Sequence, residues 1–268
     1  MKAAIQSAAM AAVDGVMAVL PRATPDEATL CACKIISHRG EHDNRTVFEN
    51  TLRAFDIARR AGVWGIECDL RWTRDLQPVI CHDESAGRVF GRDLRIASLT
   101  IEELRAALPQ VPTLAEVVVA CRGRMHLMLE VKELDEARIR EQRETLQATL
   151  DDLRPGQDFH ILALDPDLFR IATFAGASSM LPVAEFNVGQ LSALALERGY
   201  AGIAGHFLLL GESLRKRHAA AGQAIGTGFP RSRRCLYREA ERGVEWVFSN
   251  DAVYLQGLLP RDRPDTPG

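Results

Sequence analysis

The run Ile66-Glu67-Cys68-Asp69-Leu70-Arg71-Trp72-Thr73-Arg74-Asp75-Leu76-Gln77-Pro78-Val79-Ile80-Cys81-His82-Asp83 decides the fold. It holds two strand patterns, at 64–70 and 78–81, separated by too few residues for a helical crossover. They therefore pair as an antiparallel hairpin. A two-residue turn centred on Asp75-Leu76 sets Asp69 opposite His82. Cross-strand partners share a face, so Glu67, Asp69 and His82 are expected to project from one side.

Outward from the hairpin, further strand patterns lie at 34–37, 126–131, 159–163, 180–185, 202–204, 223–225 and 245–248. Helical patterns separate them. Thr100-Ile101-Glu102-Glu103 and Thr113-Leu114-Ala115-Glu116 read as capping boxes. Gly62, Gly199, Gly222 and Gly243 stand just past helical runs, where a left-handed residue ends a helix. Regular strand–helix alternation implies right-handed crossovers and a parallel sheet. Once the hairpin arm at 78–81 is set aside, the patterns fit a closed eight-stranded TIM (β/α)8 barrel, which takes roughly 250 residues. A doubly wound sheet has no glycine-rich nucleotide loop to support it, since Arg231 stands where Gly226-Thr227-Gly228 would need a third glycine.

The chain has 268 residues, with 33 basic and 36 acidic side chains, a formal net charge of −3 and 47% apolar residues. That is enough to bury one large core without staples. The charge balance removes the footprint of a nucleic-acid binder. No window approaches the roughly 18 apolar residues of a membrane span. The six cysteines sit mostly in apolar runs and read as buried free thiols. Lys2 opens an apolar stretch that Gln6, Ser7 and Asp14 interrupt, so an amphipathic helix ending at Leu20 fits better than a signal peptide and the expected location is cytoplasmic. The expected organisation is an N-terminal helical extension over 1–32, one barrel domain over 33–252 and a C-terminal tail over 253–268.

The chemistry-bearing residues fall at carboxyl ends of expected strands, where barrel enzymes build their sites. They are His38-Arg39-Gly40, Glu49-Asn50-Thr51, Glu67-x-Asp69, His82-Asp83 and Glu130-x-Lys132. Singly, each has a structural reading. Together, three carboxylates at one mouth repel one another unless a cation sits among them, and all-oxygen ligands point to Mg²⁺ or Ca²⁺. Arg39 and Lys132 can bind phosphate oxygens, and His38 and His82 can divide the base and acid roles of phosphodiester cleavage.

With Pro112-Thr113-Leu114, these motifs occur in an order that resembles the glycerophosphodiester phosphodiesterase family over about residues 33–135. The resemblance implies a TIM barrel that hydrolyses glycerophosphodiesters to sn-glycerol 3-phosphate and an alcohol with one divalent cation. By position it implies Glu67, Asp69 and Glu130 as metal ligands, His38 and His82 as the acid–base pair, and Arg39 and Lys132 as phosphate contacts. A neighbouring glycerol hydroxyl would attack phosphorus, and water would open the cyclic phosphate. The chain departs from the family pattern at Phe48, at Asp75-Leu76, at Ile225-Gly226-Thr227-Gly228 and at Ser249-Asn250-Asp251. The late departures keep open a relative with another phosphodiester, a lyase that stops at the cyclic phosphate, and a ligand-binding barrel without turnover. His206 is a candidate for the substrate pocket, His42 a loop residue that could reach the mouth, and His126, His160 and His218 structural or surface positions.

Overall fold

The computed structural model describes residue 15 and residues 17–260. Eight parallel strands close into a ring. In ring order they are β1 (Lys34–His38), β2 (Gly65–Trp72), β4 (His126–Val131), β5 (Phe159–Ala163), β6 (Met180–Ala184), β7 (Gly202–His206), β8 (Ala224–Gly228) and β9 (Trp246–Ser249). β1 pairs with both β2 and β9 and so seals the ring. β3 (Pro78–Ile80) lies outside it, antiparallel to β2. This is the TIM barrel with one extra hairpin strand that the alternation of patterns implies.

Local chemistry sets the helix limits. Thr100 and Thr113 both complete capping boxes, with Glu103 and Glu116. Thr51 caps the helix Leu52–Arg60 by accepting from Ala54 N. Gly62, Gly199, Gly222 and Gly243 all take positive φ at helix ends. The strands β6 to β9 begin at residues 180, 202, 224 and 246, an even repeat. After β5 the crossover is a 3-10 stretch, Pro166–Ala175, rather than an α-helix.

The hairpin register differs from the expected one by a single residue. Leu70 pairs with Ile80, Arg71 with Val79 and Trp72 with Pro78, so Asp69 stands beside Cys81, not His82. The loop has three residues: Leu76 N bonds back to Thr73 O, and Leu76 takes φ +57. This is the turn-plus-bulge loop in which glycine ordinarily fills the left-handed position. Here Leu76 is 6% exposed, and the Thr73 hydroxyl donates to Asp75 at 2.6 Å, so side-chain burial and a local bond hold the loop. His82 escapes the consequence of the slip because β3 ends at Ile80. The chain bends beyond it, and Arg71 Nε donates to His82 O at 2.9 Å.

Inside the ring, Ile36, Met128, Leu162, Leu181, Ala204 and Phe248 fill the middle layer. The base layer is aromatic and polar. Trp64 stacks on His126 at 4.5 Å, His126 Nε2 meets His160 Nδ1 at 2.8 Å, and Trp246 lies edge-on to His160. These layers fill the lower barrel with side chains, as packed barrels do, and leave the carboxyl ends of the strands as the open mouth. Outside, Ile66, Cys68 and Leu70 of β2 pack with Phe55, Leu114 and Val117 of the surrounding helices. β2 is thus buried on both faces, which makes the inward acids Glu67 and Asp69 conspicuous.

Cys31, Cys68, Cys81 and Cys121 are free thiols. The amphipathic helix expected up to Leu20 lies mostly outside the described residues; residues 17–19 are helical. Helix Glu27–Ala32 follows, capped by Asp26. Arg22 pairs with Glu241, and Arg234 reaches Ala18 O at 3.1 Å, tying this region to helix Arg233–Glu241. The stretch expected as a tail begins as helix Ala252–Gln256, and Leu255 and Leu259 are buried. Residues 261–268 lie outside the described part. Among the described residues, no helix is long and apolar enough to cross a membrane.

Candidate active site

The barrel register assembles the mouth. His38 pairs with Glu67 across β1 and β2, and Asp69 with Glu130 across β2 and β4. Oxygens of Glu67, Asp69 and Glu130 lie within 4.8 Å of one another, and all three residues are buried. Each comes from the inward-facing row of its strand.

Burial, reinforced by Asp69 and Glu130, drives the Glu67 carboxyl well above its usual range, against the pull of Arg39 and Lys132. Burial also disfavours the Asp69 anion, but Lys132, Arg39 and His82 outweigh it and hold this carboxyl below the ordinary range. Lys132 Nζ stands 2.8 Å from Asp69 Oδ1 and 2.5 Å from Glu130 Oε1. Arg39 Nε is 3.2 Å from Asp69 Oδ2. Glu67 has less: its Oε2 accepts from Arg39 N at 3.2 Å, while its buried Oε1 has no hydrogen-bond partner. A cluster of three acids with an orphaned buried oxygen is short of positive charge, and its all-oxygen donors suit a hard divalent cation.

Arg39 reaches this position through a tight turn. Arg39 takes φ +60 and Gly40 φ +76, and Asn50, at φ +57, donates its backbone N–H to Arg39 O at 2.9 Å. Left-handed residues this close together are the strained geometry common at functional sites. A side chain on Gly40 would meet Ala54 Cβ at 2.7 Å, so glycine is required there.

The two imidazoles have different partners. His38 Nδ1 lies 2.7 Å from Asn250 Oδ1, its Nε2 lies 3.7 Å from Glu67 Oε2, and Phe229 packs on its ring at 4.7 Å. Burial, together with the Arg39 charge, lowers its pKa to about 3. His82 Nδ1 lies 2.6 Å from Asp83 Oδ1. Arg88 donates to Asp83 at 2.6 Å and forks onto Glu49 at 2.6 and 3.0 Å. Glu49 also accepts from Arg39 and Asn44. Although burial raises the Glu49 carboxyl, Arg88, Arg39 and Asn44 bring it down to about 2. The Glu49 loop and the His82 loop are thereby locked together.

The structure thus brings His38, Arg39, Glu67, Asp69, Glu130 and Lys132 into one inward cluster, with His82 close enough to act on the Asp69 charge. His206 ends β7 on the same inward row and is half-buried, but no described contact joins it to the acidic cluster. His42 bonds to Gly40 O at 2.9 Å. His126 and His160 belong to the base layer, and His218 is buried between Ser192 and Gln223. Sequence reasoning missed Asn250, Arg88 and the contact in which Asn50 donates to Asp69 at 2.7 Å. Asn50 sits in a motif that marks it for attention. Asn250 stands in Ser249-Asn250-Asp251, which the sequence marks only as a departure from the family pattern, and Arg88 carries no local signal.

Residues 38–189, more than half of the chain, match the family model of the glycerophosphoryl diester phosphodiesterase family. Glycerophosphodiester phosphodiesterase 1 of Mus musculus is 34% identical over 112 residues, covering 36% of this chain and 33% of that protein. The matched stretch spans 29–33% of the length of the Mus musculus, Bos taurus and Rattus norvegicus relatives. A glycerophosphodiester phosphodiesterase from Thermotoga maritima shares the fold with a TM-score of 0.67 at 22% identity, covering 84% of this chain and 98% of that one. An Oleispira antarctica phosphodiesterase, solved with the product sn-glycerol-3-phosphate, gives a TM-score of 0.70 at 22% identity over 84% of this chain and 95% of that one.

Proposed function

Because the chain belongs to the glycerophosphoryl diester phosphodiesterase family, we propose that it is a divalent-cation-dependent hydrolase of glycerophosphodiesters, releasing an alcohol and sn-glycerol 3-phosphate. The observation that carries this reading is the buried acidic cluster with its orphaned Glu67 oxygen, with His38 Nε2 3.7 Å from the other Glu67 oxygen. The product held by the Oleispira antarctica phosphodiesterase supports the same product class.

In this reading Glu67, Asp69 and Glu130 hold one Mg²⁺ or Ca²⁺. When bound, the cation supplies Lewis-acid charge that polarises the phosphoryl group. Arg39 and Lys132, the two cations of the cluster, turn toward the non-bridging phosphate oxygens, as fork and point charge. His38 is held neutral at physiological pH by its burial, so its ring nitrogen can take a proton from the attacking glycerol hydroxyl. His82, backed by the Asp83 carboxylate, gives a proton to the leaving alcohol oxygen. The roles reverse when water opens the cyclic phosphate. His206 lines the alcohol side of the mouth in this scheme.

A second reading, a lyase that stops at the cyclic phosphate, draws on the late departures from the family pattern at Ile225-Gly226-Thr227-Gly228 and Ser249-Asn250-Asp251. Phosphorus NMR of glycerophosphocholine and glycerophosphoethanolamine incubated with the chain and Mg²⁺ or Ca²⁺ tests both. Accumulating sn-glycerol 3-phosphate is the expected result; a persistent cyclic phosphate favours the lyase. No conversion of any glycerophosphodiester removes the proposal and leaves a ligand-binding barrel.

A further inference from the structure

We propose that Asn250 is a positioning residue that fixes the proton of His38 on Nδ1 and so keeps the Nε2 lone pair turned into the barrel mouth. The register builds this contact. Strands β1 and β9 pair Ile36 with Phe248 and Ser37 with Ser249, so the next position sets His38 beside Asn250. An amide oxygen only accepts, and at 2.7 Å it requires a proton on the facing ring nitrogen. A neutral imidazole has one proton, so Nε2 is left as the acceptor. That nitrogen is the one on the Glu67 side, 3.7 Å from its Oε2 and beyond hydrogen-bond reach.

The support is rigid on both sides. Ser249 is buried, and its hydroxyl donates to Pro230 O at 2.6 Å. Asp251 N donates to Ser249 Oγ at 3.0 Å, and Asp251 pairs with Arg231 at 2.7 Å. Phe229 lies against the imidazole, tilted by 58° at 4.7 Å, and limits ring rotation. The partners also distinguish the two histidines: His38 faces a neutral amide, while His82 faces the Asp83 carboxylate. An amide orients a ring without supplying an anion for a second proton, which suits a group that must begin the reaction as a base.

This inference rests on the acid–base reading given above only for its effect on turnover; the tautomer stands apart from it. The test is a two-bond ¹H–¹⁵N correlation spectrum of the full ¹⁵N-labelled chain at neutral pH without added metal, with the His38 signals assigned by their loss in His38→Ala. Wild type is expected to carry the proton on Nδ1. In Asn250→Leu the proton moves to Nε2, or exchanges between the nitrogens, and kcat on glycerophosphocholine falls about tenfold to hundredfold while KM changes less than about threefold. Asn250→Asp, which keeps an acceptor, restores the Nδ1 proton and turns over faster than Asn250→Leu. A proton on Nε2 in wild type overturns the proposal. So does Asn250→Leu with an unchanged tautomer or unchanged kcat. If the wild-type chain converts no glycerophosphodiester, the functional reading fails, and the spectrum still decides whether Asn250 sets the His38 proton.

Discussion

Asn50 grips Asp69 at two points: its Nδ2 donates to Asp69 Oδ2 at 2.7 Å, and its Oδ1 accepts from Asp69 N at 3.4 Å. A carboxylate that accepts such a bond is held in one orientation, and groups of this kind behind metal ligands are typically worth about 10–100-fold in metal affinity. Asn50→Ala is therefore expected to weaken Mg²⁺ or Ca²⁺ binding by that factor in a calorimetric titration. Asn50→Asp weakens it further, because a second anion then abuts Asp69. Wild-type affinity in either variant would show that Asp69 needs no such support.

The proposed division of labour between His38 and His82 separates their variants. His38→Ala and His82→Ala are each expected to lose at least about 10²-fold in kcat on glycerophosphocholine while remaining folded by circular dichroism. A p-nitrophenyl phosphodiester needs no proton on its leaving oxygen. His82→Ala recovers most of its deficit on that substrate, and His38→Ala does not. Equal deficits on both substrates would remove the acid role from His82.

The turn that carries Arg39 into the mouth depends on Gly40. An added methyl at φ +76 meets Ala54 Cβ at 2.7 Å and its carbonyl carbon at 2.9 Å. Gly40→Ala is expected to cost about 1–3 kcal/mol in urea unfolding and to depress turnover by displacing Arg39. A change below about 0.5 kcal/mol would mean that the turn relaxes without loss.

The base of the barrel makes stability depend on pH. Burial, together with the His160 charge, lowers the pKa of His126 to about 3, and burial with the Lys34 charge lowers that of His160 to about 4. Unfolded, each ring binds a proton near pH 6.5, so below that pH the unfolded state holds more protons than the native one. Stability therefore falls as pH drops from about 6.5 toward the folded values, by at most about 1.4 kcal/mol per pH unit for each ring. Urea midpoints measured from pH 7 to pH 5 are expected to fall more steeply for wild type than for His126→Asn/His160→Asn. Parallel slopes would show that the pair is not the source.

Elements governed by neighbouring residues were legible from the sequence. The capping boxes at Thr100 and Thr113, the helix-ending glycines and the even spacing of β6 to β9 are local physics, and together they give the barrel. The hairpin at Asp75 was legible as a hairpin but not in its register, because nothing in the sequence announces a leucine in the left-handed region at residue 76. Strands β7, β8 and β9 run past their expected ends through His206, Gly228 and Ser249, where pairing of His206 with Gly228 and of Ser249 with Ser37 extends the ladder beyond the apolar runs. Within the site, His38 and the acids fall in short motifs on the adjacent strands β1, β2 and β4, and His82 follows two residues after β3. The His38–Asn250 contact spans 212 residues and exists only because β1 and β9 close the ring. Arg88 reaches Glu49 across 39 residues through a loop geometry no pattern encodes.

The central claim is that Glu67, Asp69 and Glu130 grip one divalent ion. Isothermal titration of Mg²⁺ and of Ca²⁺ into the wild-type chain and into Glu67→Gln tests it most directly. The account predicts one saturable site in wild type for at least one of the two ions, and its loss in Glu67→Gln. No heat of binding from wild type, or an undiminished site in Glu67→Gln, would contradict it.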